Sequence, residues 1–145
     1  MSVKERKSFT LMELLISIMI MGILASVSLP ILTKSIEYAK NREVVVALKL
    51  IKTGELVYNI NRDHYYPPGT LTETNVSIIN TNLYLDIPPQ TSWSISIQGN
   101  NPGDFTAEAY RTLPMPSGFN RYFYIGLNDP EPICVNVAGD TKGCD

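Results

Sequence analysis

From Phe9 to Leu32 the sequence runs for 24 residues with a single charged side chain, Glu13. A helix that is apolar all round has no face to offer water and must be covered by lipid or by protein. At ~1.5 Å per residue this run reaches roughly 36 Å as a helix. A bilayer's hydrocarbon core is about 30 Å thick, so the run is long enough to cross it with some tilt. The rest of the chain has ordinary soluble composition, rich in Asn, Ser, Thr, Pro and Gly. At 145 residues there is room for one small globular domain beside the apolar segment.

Charge is distributed unevenly about that run. Lys4, Arg6 and Lys7 against Glu5 give the first eight residues a net charge of +2. Residues 64–145 carry Arg111, Arg121 and Lys142 against eight carboxylates, a net −5. A basic flank stays on the cytoplasmic side of a membrane, so the acidic portion is expected to be exported. An acidic exported domain is also a poor match for a phosphate backbone, which argues against nucleic acid as a partner.

After Pro30 the helical pattern continues to about residue 61 but becomes amphipathic. Ile36, Ala39, Val46, Leu50, Gly54 and Val57 follow three-or-four spacing on one face, and Val44, Leu48, Ile51 and Tyr58 form a second stripe. Two apolar stripes exceed what one small sheet can cover, which predicts two partners for this helix. Tyr65-Tyr66-Pro67-Pro68-Gly69 ends it, because proline lacks an amide donor and restricts the residue before it. From there to Pro88-Pro89 an irregular, Asn/Thr-rich connection is expected, with one apolar stretch at Leu83-Tyr84-Leu85.

Period two then takes over. Trp93, Ile95 and Ile97 share one face of a strand, Gly99-Asn100-Asn101-Pro102-Gly103 is a turn, and Phe105, Ala107 and Ala109 share a face of the next. Tyr122 to Leu127 and Ile133 to Ala138 supply two more strands, with Trp93, Tyr122 and Phe123 expected in the core. The predicted fold is α+β: a long N-terminal helix, apolar and then amphipathic, packed on an antiparallel meander of about four strands.

The segment Lys7-Ser8-Phe9-Thr10-Leu11-Met12-Glu13-Leu14-Leu15-Ile16 resembles the class III signal of the type IV pilin and pseudopilin family. Its parts are a short basic leader, a small residue, then Phe-Thr-Leu-x-Glu opening a long apolar helix. The resemblance is strong over residues 4–32, including Gly22 and Pro30, and then weakens to a shared layout of helix, loop, sheet and C-terminal cysteine pair. It implies a pilin fold with a cleaved leader (1–8), a transmembrane and polymerisation helix (9–32) and a globular head (33–145). Within the head it implies an αβ-loop at 62–91, a sheet at 92–138 and a disulfide loop at 134–144.

By the same resemblance, a prepilin peptidase cuts between Ser8 and Phe9 and Phe9 becomes the N-methylated terminus. The family usually has glycine before the cut, and the hydroxymethyl group of Ser8 would slow processing. An ionisable group in a membrane helix costs ~2.5–3.5 kcal/mol at mid-depth on insertion scales, so Glu13 implies a partner. The resemblance supplies one: the Phe9 amine of a neighbouring subunit, a pairing that fixes register more than it stabilises. The alternative is Glu13 at the membrane interface with water as its partner. Pro30 kinks or interrupts the helix and Gly22 lowers its propensity, so residues 22–30 are expected either to lose helicity in a filament or only to bend at Pro30.

Functionally the resemblance implies a structural subunit, not an enzyme. Such a subunit sits in the inner membrane with its N-terminus cytoplasmic. It then joins itself and other pilins in an extracellular type IV pilus, through a membrane assembly platform. The runner-up is a type II secretion or competence pseudopilin in a periplasmic pseudopilus, and a third reading is a single-pass anchored binding domain that never polymerises. An ordinary secretory signal with a small-residue site at Ala25-Ser26-Val27-Ser28 competes less well, because Glu13 interrupts its apolar core and the helical pattern continues beyond the supposed cut.

The only cysteines, Cys134 and Cys144, read as a disulfide in an exported chain, against two free thiols as the alternative. Closing an 11-residue loop is worth roughly 3 kcal/mol on the chain-entropy model. The lone histidine, His64, lies at the expected helix end, where capping is the expected role rather than catalysis. No metal or cofactor is expected, apart from calcium at Asp140, Asp145 and nearby carbonyls, for which no loop-ligand spacing is present.

Overall fold

A computed structural model describes residues 10–89, 92–100, 103–112 and 121–136, without the side chains of Pro30, Arg121 and Asn136. The chain divides into two units, residues 1–39 and 40–145. Helix α1, Leu11–Arg62, supplies the described part of the first unit and opens the second. Within the first unit its side chains lie open or nearly so, from Leu11 at 86% exposure to Leu32 at 56%.

The helix runs without a break through Gly22 and Pro30 in the single chain; the loss of helicity over residues 22–30 is expected of a filament. Proline removes one amide donor, and that loss alone leaves the flanking turns able to carry the helix. Serine hydroxyls in this stretch fold back onto the helix itself. Ser17 donates to Glu13 O at 2.7 Å, Ser26 to Ile23 O at 2.7 Å and Ser35 to Ile31 O at 3.0 Å. Such back-bonding lets a polar residue ride in an apolar helix without an unmet donor.

In the second unit one five-stranded sheet has the order β1-β2-β3-β4-β5, every neighbour antiparallel. The strands are β1 (Thr72–Glu73), β2 (Trp93–Gly99), β3 (Phe105–Arg111), β4 (Arg121–Gly126) and β5 (Ile133–Asn136). This is the expected meander with one strand more. The addition, β1, is two residues of the αβ connection laid against Gln98 and Ile97. That connection is therefore not the irregular loop expected. It also holds helix α2, Val76–Leu83, capped by Asn75, whose Oδ1 accepts from the amides of Ser77 (3.0 Å) and Ile78 (3.4 Å). Tyr84 closes α2 in the left-handed conformation (φ 55°, ψ 44°) and stands 86% exposed, while Leu83 beside it is buried.

Alternation decides which side of the sheet is core. Trp93, Ile95, Ile97, Phe105, Ala107 and Ala109 point inward as their period-two spacing predicts, and Phe123 and Ile125 join them from β4. Tyr122 does not. It is one residue out of phase with Phe123, so it lies on the opposite face, stacked on Tyr110 at 5.4 Å between ring centroids. There Tyr110 donates to Glu108 Oε2 at 2.6 Å, a bond that, ahead of burial, pushes the phenol's pKa up to about 12.

From α1 the second stripe supplies Val44, Leu48 and Ile51, with Ala47 between them, all at 3% exposure or less. The first stripe is mostly open: Ile36, Val46, Leu50 and Val57 are 42–56% exposed. Its one covered member is Gly54, where an added Cβ would lie 3.0 Å from Leu83 Cβ, so α2 closes onto the helix at this residue. Asn80 ties the exit of α2 to the sheet lead-in through a paired bond, its Nδ2 donating to Ile87 O (2.8 Å) and its Oδ1 accepting from Ile87 N (3.0 Å). On the other flank Lys52 donates to Leu127 O at 2.9 Å and to Asp129 O, and Lys49 pairs with Glu131, pinning the β4–β5 turn to α1.

Gly99 marks the tightest approach. A Cβ there would collide with the carbonyl oxygen of Pro67 and come within 2.5 Å of that of Gly69. Both obstacles are backbone and cannot rotate away. Gly99→Ala is expected to cost ~2 kcal/mol or more by overpacking, read as a lower midpoint in urea followed by the single tryptophan, Trp93.

Candidate functional site

Helix α1 starts at Leu11, which makes Thr10 its N-cap and Glu13 its third residue. The Glu13 amide donates to Thr10 Oγ1 at 3.2 Å, and the Leu14 amide to Thr10 O at 3.2 Å. This is one half of a capping box, the Thr-x-x-Glu pattern in which hydroxyl and carboxylate each satisfy one orphan amide. The returning bond from the Glu13 carboxylate is not made. Among the described residues that carboxylate has neither hydrogen bond nor ion pair, and it is exposed. A cap held by threonine alone leaves the acid free to take an external cation.

The surroundings sharpen its demand for one. Met12, Leu14, Leu15 and Ile16 flank it at 45–69% exposure, and apolar side chains continue on every face to Leu32. Whatever covers this stretch must bring a counter-charge to Glu13 or accept an unpaired carboxylate in an apolar setting. Gly22 adds a place for close approach, since no atom lies within 4 Å of a Cβ built there. Ser8 and Phe9 lie outside the described residues, as do Cys144, Asp140 and Asp145. Cys134 is disulfide-bonded and almost wholly buried against the sheet core; its expected partner is Cys144.

A second ionisable group in an apolar place escaped the sequence reading. Glu55 is fully buried, at the step of the stripe between Ile51 and Tyr58. Its Oε2 accepts from the amide of Tyr66 at 2.8 Å and its Oε1 has no partner. Burial drives its pKa up to about 8, and the Tyr66 amide offsets only part of that. At neutral pH it is a neutral acid that holds the turn after α1 against the helix. Tyr66 extends the contact outward: its hydroxyl donates to Glu73 Oε2 and accepts from Asn82 Nδ2, each at 3.4 Å.

The helix end itself is closed by His64. Its Nδ1 donates to Arg62 O at 2.7 Å, its ring meets Tyr58 edge-on at 5.6 Å, and Asp63 turns left-handed with φ 59°. This is the cap expected of it. Among the described residues no three His, Cys, Asp or Glu side chains gather as a metal-binding cluster.

The model of the prokaryotic N-terminal methylation motif matches residues 4–29, the basic leader and the apolar half-helix. No curated protein and no solved structure matches the chain.

Proposed function

We propose, for a chain whose residues 4–29 carry the class III signal of type IV pilins and pseudopilins, that it is a structural subunit of a type IV pilus. The signal makes the chain a pilin-like substrate of prepilin peptidase, anchored by its apolar helix. The observation that carries the proposal further is the Glu13 carboxylate, without a partner among the described residues, in the first turn of a helix whose apolar first half is exposed. Cleavage before Phe9 would place a new ammonium four residues upstream of Glu13, at the same depth in the membrane. A neighbouring subunit's terminus meets the charge and a neighbouring helix meets the apolar surface. The open stripe of Ile36, Val46, Leu50 and Val57 gives the amphipathic half of α1 a surface for the same use.

A type II secretion or competence pseudopilus would be built by the same contacts. The disulfide at Cys134 favours the pilus reading, since it suits the C-terminal loop of pilins better than a calcium-held end. The mass of the chain isolated from cell-surface filaments tests the assignment. The expected mass lacks residues 1–8 and carries one added methyl group on Phe9. A chain that keeps its leader, or that starts near residue 28, overturns it.

A further inference from the structure

Of all the asparagines in the sequence, Asn75 alone is followed two residues later by a serine or threonine, in Glu73-Thr74-Asn75-Val76-Ser77. That is the Asn-x-Ser/Thr acceptor pattern for N-linked sugar, with valine rather than proline at the middle position. Thr74, Asn75 and Ser77 are all exposed, so the segment can enter an enzyme's groove without unfolding the core.

The way Asn75 caps α2 matters more. It uses only its oxygen: Oδ1 accepts from Ser77 N and Ile78 N, while Nδ2 makes no hydrogen bond among the described residues. N-glycosylation substitutes the nitrogen and leaves the carbonyl oxygen as an acceptor, so a sugar here would preserve the cap. Other asparagines nearby are spent differently. Asn80 donates through Nδ2 to Ile87 O, and Asn82 through Nδ2 to Ile78 O. A glycan on either would replace one of the two N–H donors and crowd a nitrogen that shapes the connection.

We propose that Asn75 is an N-glycosylation site, modified outside the cytoplasm by a membrane transferase that uses an oligosaccharide carried on a lipid diphosphate. In the transfer Nδ2 attacks the anomeric carbon, the carbon–oxygen bond to the diphosphate breaks, and the diphosphate leaves with the electron pair. The amide proton passes to a base on the enzyme. The proposal rests on the export of residues 33–145 in the reading above.

Fragmentation mass spectrometry of the intact mature chain from its own cells tests both at once. The expected result is the mass of one oligosaccharide localised to Asn75 on a chain lacking its first eight residues. The added mass should vanish in Asn75→Asp, which keeps the cap but has no amide nitrogen, and in Ser77→Ala, and persist in Ser77→Thr. An unmodified Asn75 overturns the site, as does an added mass that survives Asn75→Asp and so sits on a hydroxyl. Retention of residues 1–8 is a separate result in the same spectrum and counts against the pilin reading alone.

Discussion

Glu13→Ala is expected to abolish surface filaments while leaving the folded head intact. The alanine removes a carboxylate that has no partner among the described residues, so the folded head loses no contact seen there. In the proposed filament the same change would strand the ammonium of a trimmed Phe9 among apolar side chains. Breaking one half of a buried pair costs ~3–5 kcal/mol, and each ~1.4 kcal/mol is tenfold in an equilibrium constant. Subunit addition should weaken a hundredfold or more at each step, enough to leave no filament in sheared material viewed by electron microscopy. Thermal unfolding of the variant in detergent should match the parent, because Glu13 is not among the residues that build the core, all of which fall within residues 40–145. Filaments of normal yield from the alanine variant would sink the proposed role of Glu13.

Much of this was readable from the sequence because two periods dominate it. Unbroken apolarity marks the first half of α1, and strict alternation from Trp93 to Ile97 sets the inward face of β2 with no help from packing. What escaped is short or depends on contacts. A two-residue strand such as β1 exists only because β2 offers it an edge. Helix α2 is eight residues long and owes its existence to the Asn75 cap and to burial of Ile79 and Leu83, so neither a long pattern nor propensity announces it.

Tyr122, expected in the core, alternates with Phe123 along β4, and that phase puts it on the opposite face beside Tyr110. The half-formed capping box was visible as Thr10-x-x-Glu13, and its use shows why the acid is free. Glu55 belongs to the buried stripe of α1. Val44, Leu48, Ile51, Glu55 and Tyr58 step by four, three, four and three, and the charge at one step hid a position that spacing alone assigns to the interior.

That interior acid should give the head an unusual dependence on pH. The folded Glu55 has its pKa raised by burial to about 8, against 4.5 for the exposed side chain. Between those values the folded chain holds a proton that the unfolded chain has lost, so folding is favoured by acid and stability falls as pH rises. The contribution is complete below pH 4.5, declines through neutrality, and is spent above pH 8. Taken whole, such a shift corresponds to an order of 3–5 kcal/mol, partly relieved where the Tyr66 amide still supports the ionised form.

Glu55→Gln should remove this slope. Its amide oxygen still accepts from Tyr66 N, and it cannot ionise. The difference between the parent and the glutamine variant, taken from urea midpoints read by Trp93, isolates this one group from every other carboxylate. The two chains should be close in stability at pH 5, with the variant ahead by a few kcal/mol at pH 9. Glu55→Leu separates charge from hydrogen bonding. It too loses the slope, but it leaves the Tyr66 amide without an acceptor, a deficit of ~1–3 kcal/mol at every pH. Parallel pH profiles for parent and glutamine variant would mean that Glu55 ionises at an ordinary pH inside the fold, and that water or a rearranged Tyr66 reaches its unpaired oxygen.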